Sequence, residues 1–288
     1  MSTTERGPGP ESVRLGEVQE TLLATLYARA VESRKKHGIL SDAKAVEIVE
    51  QLVAEGAYDF RKFEGSATLP LAVLRTLILD QWVRDFLDEH PDGTVVEIGA
   101  GLSSRYERLD NGRAAWTDLD LADALELRRR FYAEGPRRRM VAGSVLETSW
   151  LADVATGPGP YLFVLEGVLL YFTEEQVRGV LGTLADAFPG ALIAFDSAST
   201  GVVENQDHKA LKKELAASFT WACDDPKSVE AWGVGLTVAD SRGLVELPKA
   251  VLARMGFMQR RGMAVARAIF RNSADAYRVS LCRADGSR

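Results

Sequence analysis

The stretch Val95-Val96-Glu97-Ile98-Gly99-Ala100-Gly101 sets an acid near the end of a β-branched run and follows it with three residues that carry almost no side chain. Bare main chain at the exit of a strand lets a ligand approach the backbone closely. A G-x-G turn followed, about twenty residues on, by an acid ending a second strand is the nucleotide-binding arrangement of open α/β sheets. The acid here is Asp118 or Asp120, 21 or 23 residues after Glu97, and it could accept hydrogen bonds from both ribose hydroxyls. The plain alternatives are a tight turn at the glycines and a helix cap at Asp120, since Asp is a favoured N-cap.

Two details narrow the ligand. The third glycine of a dinucleotide fingerprint is missing, because position 104 is Ser, so no pyrophosphate cradle is expected and NAD is disfavoured. Glu97 is awkward beside a phosphate but well suited to a cation. S-adenosylmethionine, with an adenosine, a sulfonium, an amino-acid tail and no phosphate, fits both. Glu166 closes the apolar run PYLFVLEG, where a charge is costly without a partner.

These residues need elements to position them. Apolar spacing of three and four predicts helices over 15–35, 42–55 and 69–88, with Ser41-Asp42 as a cap and Pro70 in a first turn. Strands are predicted at 94–100, 114–118, 138–144, 160–167, 191–199, 233–241 and 276–284. Between them, 121–135, 173–189 and 247–255 read as helices, with Thr173 as N-cap and a Glu expected three residues later to complete a capping box. Segment 203–230 reads as a polar, helical insertion, and 256–275 has no clear assignment. Strands alternating with helices imply an α/β, doubly wound, parallel sheet covered on both faces.

Bulk properties bound the rest. The chain has 288 residues, 46% of them apolar, enough for a sizeable core. A net charge of −6 argues against nucleic-acid or acidic-membrane partners. The two Arg-Arg-Arg runs at 128–130 and 137–139 are short and read as solvated faces. Cys223 and Cys282 are far apart, and His37, His90 and His208 are scattered, so no disulfide framework or metal site is expected and a reducing cytoplasm suits the chain. No apolar stretch approaches the ~18–20 residues that span a bilayer. Residues 1–14, polar and Gly/Pro-rich, read as a flexible tail without the apolar centre of a signal peptide.

The motifs VVEIGAGLSSRYERL, DLDLADALELRR and LFVLEGVLLYF, in that order, resemble the leucine carboxyl methyltransferase family, in particular its bacterial polyketide O-methyltransferase branch. The resemblance runs from about residue 17 to 200. It implies a class I methyltransferase (Rossmann-like) fold, seven-stranded and mostly parallel, with S-adenosylmethionine as cofactor. An N-terminal helical cap over 15–90 would precede the cofactor-binding domain at 91–288, with a substrate-capping insertion after the fifth strand at about 200–260. Gly99 and Gly101 would face the cofactor. Asp120 would bind the ribose, although the family's proline two residues on is Ala122 here. Ser144 and Val145 would flank the adenine. Glu166 would meet the amino group, and Arg75 would grip the carboxylate; such charge-assisted pairs are the stronger kind of hydrogen bond. Arg105 and Tyr106 would brace the loop, and Tyr171 could line the transfer pocket.

Methyl transfer from a sulfonium is an in-line displacement that needs positioning and exclusion of water. A carboxylate acceptor, with a reference pKa near ~4, is already ionised at neutral pH and needs no general base; a phenol near ~10 would want one. No catalytic base is nominated, and the acceptor is expected to be a small aromatic carboxylic acid. Tyr27, Phe60, Phe63, Phe219, Trp221 and Trp232 could line its pocket or simply pack the core.

Overall fold

The computed structural model describes residues 17–66, 68–206, 218–269 and 276–286. β-Branched and aromatic runs form β1 (Thr94–Ile98), β2 (Ala115–Asp120), β3 (Arg138–Ala142), β4 (Tyr161–Leu165), β5 (Leu192–Ala198), β6 (Leu236–Gly243) and β7 (Tyr277–Ala284). They make one seven-stranded sheet in the order β3-β2-β1-β4-β5-β7-β6. The first five are parallel, and β7 lies antiparallel between β5 and β6. Strand order reverses between β1 and β4, and the crevice beyond their carboxyl ends is where open α/β sheets bind ligands.

The period-2 alternation of the strands decides what each face buries. Val96, Ile98, Phe163, Leu165, Ile193 and Phe195 point to one side and pack under Val177, Leu181 and Leu184 of a helix at Glu174–Ala187. Val95, Trp116, Leu162, Val164 and Ala194 point to the other, under Leu77, Ile78, Trp82 and Phe86 of a helix at Leu69–Glu89. Two residues further along each of those strands stand Glu97, Asp118, Glu166 and Asp196. The same alternation that builds the core therefore sends four acids to one face, beneath the helix Leu69–Glu89.

In chain order the helices that matter are α1 (Glu17–Ser33), α2 (Ala43–Ala54), α3 (Leu69–Glu89), α4 (Arg105–Leu109), α5 (Ala122–Arg129), α6 (Leu151–Val154) and α7 (Glu174–Ala187). α1, α2 and the short turn Phe60–Phe63 share a third apolar cluster with Leu102, Leu125, Phe131 and Met140. Asp42 caps α2, accepting from the Ala45 amide at 2.9 Å. Although the first ninety residues are mainly helical, α3 is a layer of the sheet itself. No helix among the described residues is long and apolar enough to cross a membrane.

Several sequence-based boundaries move. β2 continues to Asp120. α5 stops at Arg129, well before 135, because Phe131 and Tyr132 leave the helix to pack against the α1–α2 cluster, with the Tyr132 hydroxyl donating to the Leu102 carbonyl at 3.1 Å. The capping box of α7 is present, but its partner to Thr173 is Gln176, not a Glu. The insertion holds a helix at Thr200–Asn205 and a 3-10 turn at Pro226–Trp232, and a further helix covers Phe257–Ile269. The N-terminal tail, residues 207–217 with His208, and residues 270–275 lie outside the described residues.

The arginine runs are not simply solvated faces. Arg128 and Arg138 are buried and share Asp118, while Arg129 and Arg130 are exposed. The aromatic residues divide similarly. Tyr27, Phe60 and Phe63 pack on one another in the N-terminal cluster, and Trp221 is buried in the sheet core beside Phe195.

Candidate active site

The β1 exit turn is shaped by its glycines in two ways. Gly99 and Gly101 adopt φ of 66° and 46°, in the left-handed region that side chains disfavour. A Cβ at Gly99 would lie 2.5 Å from Val168 Cγ2, and one at Gly101 would lie 2.5 Å from Leu22 Cδ2 of α1. The amides of Gly99 and Ala100 donate to the Leu119 carbonyl at 2.8 and 3.2 Å, tying the turn to β2. Buried arginines hold its carbonyls: Arg128 Nη1 donates to Gly101 O and Arg29 Nη2 to Leu102 O, each at 2.7 Å.

The two acids at the end of β2 have different surroundings. Asp118 is fully buried, and its Oδ2 accepts from Arg128 at 3.0 Å and from Arg138 at 2.9 Å. Asp120 is half-buried at the crevice; Oδ2 accepts the Gly101 amide at 2.6 Å and Oδ1 the Leu121 amide at 2.8 Å. It does not cap α5, whose N-cap position is Leu121 and has no side-chain bond. Burial pushes the Asp120 carboxyl up from its ordinary value. After β3, half-buried Ser144 accepts the Trp150 indole N–H on its carbonyl at 3.1 Å, and Val145 is buried beside Trp150 and Leu119.

The other sequence-nominated residues meet in one charge network. Arg105, the first residue of α4, is wholly enclosed and donates from Nε to Asp80 of α3 at 2.8 Å, from Nη1 to Glu97 of β1 at 2.8 Å, and from Nη2 to Glu166 after β4. Arg75 of α3 donates from Nε to Glu166 at 3.1 Å and from Nη1 to Asp196 of β5 and to the Tyr277 hydroxyl of β7, both at 2.8 Å. Thr76 donates to Glu166 at 2.8 Å. Arg108 joins Asp80 to Asp42 at 2.9 and 3.0 Å, and Arg29 pairs with Asp42 at 2.9 Å. This chain of contacts thus holds four arginines (29, 75, 105, 108) and five carboxylates (42, 80, 97, 166, 196), a formal charge of −1.

The network splits its acids. Burial alone would raise the Glu166 carboxyl, but Arg75, Arg105 and the Thr76 hydroxyl outweigh it and hold Glu166 well below the usual range. Burial wins at Glu97, with the Asp118 charge adding to it against Arg105, and its carboxyl is pushed up. Glu97 Oε1 is buried without a hydrogen bond, with the Ser103 side chain as its polar neighbour. An under-compensated acid, a surplus negative charge and bare backbone beside them suit a ligand of net positive charge. S-adenosylmethionine is one, carrying a sulfonium, an ammonium and a single carboxylate. Arg75 and Glu166 could hold its tail and Asp120 its ribose, while the space a side chain at Gly99 or Gly101 would need is taken by Val168 and Leu22.

Asp80, Asp196, Thr76 and Tyr277 join the site through the fold, and Arg105, a loop brace by the family resemblance, is the hub of the network. For Asp196 the signal was present: it is an acid inside the apolar run ALIAFDSAS, the pattern that singled out Glu166. Nothing local marks Tyr277. Tyr171, nominated for the pocket, packs against Phe219 with ring centroids 5.5 Å apart and meets Thr21 of α1.

A doubly wound sheet with this strand order, a glycine turn at its switch point and an acid ending β2 define a class I S-adenosylmethionine-dependent methyltransferase. The model of the leucine carboxyl methyltransferase family matches residues 22–185, and the chain belongs to that family. It is 32% identical over 246 residues to the tetracenomycin polyketide synthesis O-methyltransferase TcmP of Streptomyces glaucescens, covering 85% of this chain and 89% of that protein. It is 29% identical over 256 residues to the S-adenosyl-L-methionine-dependent methyltransferase dpfgK of Gibberella zeae, covering 82% and 84%. The crystal structure of a candidate methyltransferase from Thermobifida fusca shares the fold with a TM-score of 0.61 at 15% identity, over 99% of this chain and all of that one.

Proposed function

We propose that the enzyme esterifies the carboxylate of a small aromatic, polyketide-type acid in secondary metabolism. The observation that carries this reading is that Glu97, Glu166 and Asp196 are each engaged by an arginine. Glu166, held well below the usual range by Arg75 and Arg105, is a poor proton acceptor, and the Tyr171 hydroxyl, pushed up by burial, is no base at neutral pH. An acceptor that arrives ionised asks for none. The resemblance to a polyketide O-methyltransferase supports the acceptor class.

When bound, S-adenosylmethionine supplies an electrophilic methyl group on a sulfonium. The residues of this chain act by binding, orientation and exclusion of water. Arg75 and Glu166 take the two ends of the amino-acid tail, Glu97 adds negative potential, Asp120 takes the ribose, and Ser144 and Val145 flank the adenine. Tyr171 and Phe219, their rings tilted by 57°, offer an aromatic wall for the acceptor. The N-terminal helices and the 200–260 insertion frame that wall, since Leu22 sits over Gly101 and Phe219 lies on Tyr171.

The test is transfer of a labelled methyl group to matched aromatic acids and phenols. A base-labile ester from the acid is the expected result. A base-stable ether from the phenol alone would replace this reading with a hydroxyl-directed one. Binding of the cofactor with no transfer to either class would point to a scaffold without catalysis.

A further inference from the structure

The geometry points to Asp196 and Tyr277 as positioning residues that aim Arg75 at the cofactor's carboxylate and set its spacing from Glu166. The inference rests on the proposed role of Arg75 and adds to it how that arginine is held.

Asp196 ends on the α3 face of β5 and is fully buried. Its Oδ2 accepts Arg75 Nη1 at 2.8 Å, and its Oδ1 accepts the Gly167 amide at 2.7 Å. One carboxylate thus fixes both the arginine of α3 and the backbone beside Glu166. Tyr277 reaches the same place from the antiparallel strand β7: its hydroxyl accepts from Arg75 Nη1 at 2.8 Å and donates to Asp196. Gly167 at φ 70° completes the arrangement, because a Cβ there would stand 3.3 Å from both Arg75 Nη1 and Nη2.

With Nε on Glu166 and Nη1 on Asp196 and Tyr277, Arg75 makes no hydrogen bond from Nη2 to any described residue. A guanidinium with two nitrogens anchored and one left over is pre-organised for an incoming carboxylate, and its fork geometry then costs little further ordering. Burial pushes the Tyr277 hydroxyl well above its ordinary value, so it stays a protonated donor across the working pH range. The hydroxyl and the Asp196 carboxylate share Nη1 between them, and together they fix where it sits.

The test is calorimetric titration of Tyr277→Phe and Asp196→Asn with two ligands: S-adenosylhomocysteine, which has the amino-acid tail, and 5′-methylthioadenosine, which lacks it. Loss of the hydroxyl's hydrogen bonds to charged Arg75 and Asp196 predicts a roughly tenfold or greater weakening of S-adenosylhomocysteine affinity in Tyr277→Phe, with 5′-methylthioadenosine unchanged. In an Arg75→Ala background Tyr277→Phe should add nothing further. If both ligands weaken equally, or the Tyr277→Phe loss persists without Arg75, the role is structural and the inference falls. If Arg75→Ala weakens S-adenosylhomocysteine but neither Tyr277→Phe nor Asp196→Asn does, the inference falls while the role of Arg75 stands. If Arg75→Ala changes neither ligand, both fall.

Discussion

The Gly101 amide donates to Asp120 Oδ2 at 2.6 Å, so the acid proposed for the ribose also anchors the glycine turn beneath it. Asp120 therefore has two duties that substitutions can separate. Asp120→Asn keeps an acceptor for the amide but loses charge and one acceptor for the hydroxyls. Asp120→Ala loses both. The expected order of cofactor affinity by calorimetry is wild type, then Asn, then Ala, with the alanine variant weaker than wild type by at least about tenfold, in line with the loss of charge-assisted hydrogen bonds. Equal affinities for wild type and Asp120→Ala would remove the acid from the site.

Gly99, like Gly101, has no room for a side chain. Gly99→Ala combines a left-handed backbone with a Cβ 2.5 Å from Val168 Cγ2. The backbone term alone is of order 1–3 kcal/mol. Thermal unfolding should show a lower melting temperature, and pairing the change with Val168→Ala should recover only the part owed to the clash.

Glu97 gives the site a pH dependence with a definite sign. Burial raises its carboxyl in the free protein, whereas a bound cation favours the ionised form. Binding therefore releases a proton, and affinity for S-adenosylmethionine weakens as pH falls through the raised value, which lies above the ordinary 4.5. Titrations in buffers of different ionisation enthalpy measure that proton. In Glu97→Gln the pH dependence from this group should vanish; its persistence there would assign it elsewhere.

Arg105 is the keystone of the network, binding acids from α3, β1 and the β4 exit. Arg105→Met would leave three carboxylates buried with less compensation. Breaking a buried pair in this way costs roughly 3–5 kcal/mol, a large share of the ~5–15 kcal/mol by which domains are stable. Chemical denaturation of the variant should show that loss, deepening as pH rises and the freed acids ionise. A stability within 1 kcal/mol of wild type would contradict the network's importance.

The strands and the α3 and α7 layers were legible because apolar alternation and helical spacing are local signals. So was the contrast between an acid and the apolar run it ends, which marked Glu97 and Glu166. What the local pattern hid were partnerships across the chain. Arg128 and Arg138 look like solvent-facing charge in a run of arginines, and only the fold shows that Asp118 draws both inward. That fact also separates Asp118 from Asp120, which spacing alone left equivalent. Tyr277 is more than two hundred positions from Arg75, and no periodicity joins an antiparallel seventh strand to a helix preceding the first.

The direct test of the whole arrangement is a crystal structure of the protein with S-adenosylhomocysteine bound. The expected result is the amino-acid tail lying between Arg75 and Glu166, with the ribose hydroxyls on Asp120 and the sugar over Gly99. An Arg75 side chain turned from the ligand, or a ribose out of reach of Asp120, would contradict it.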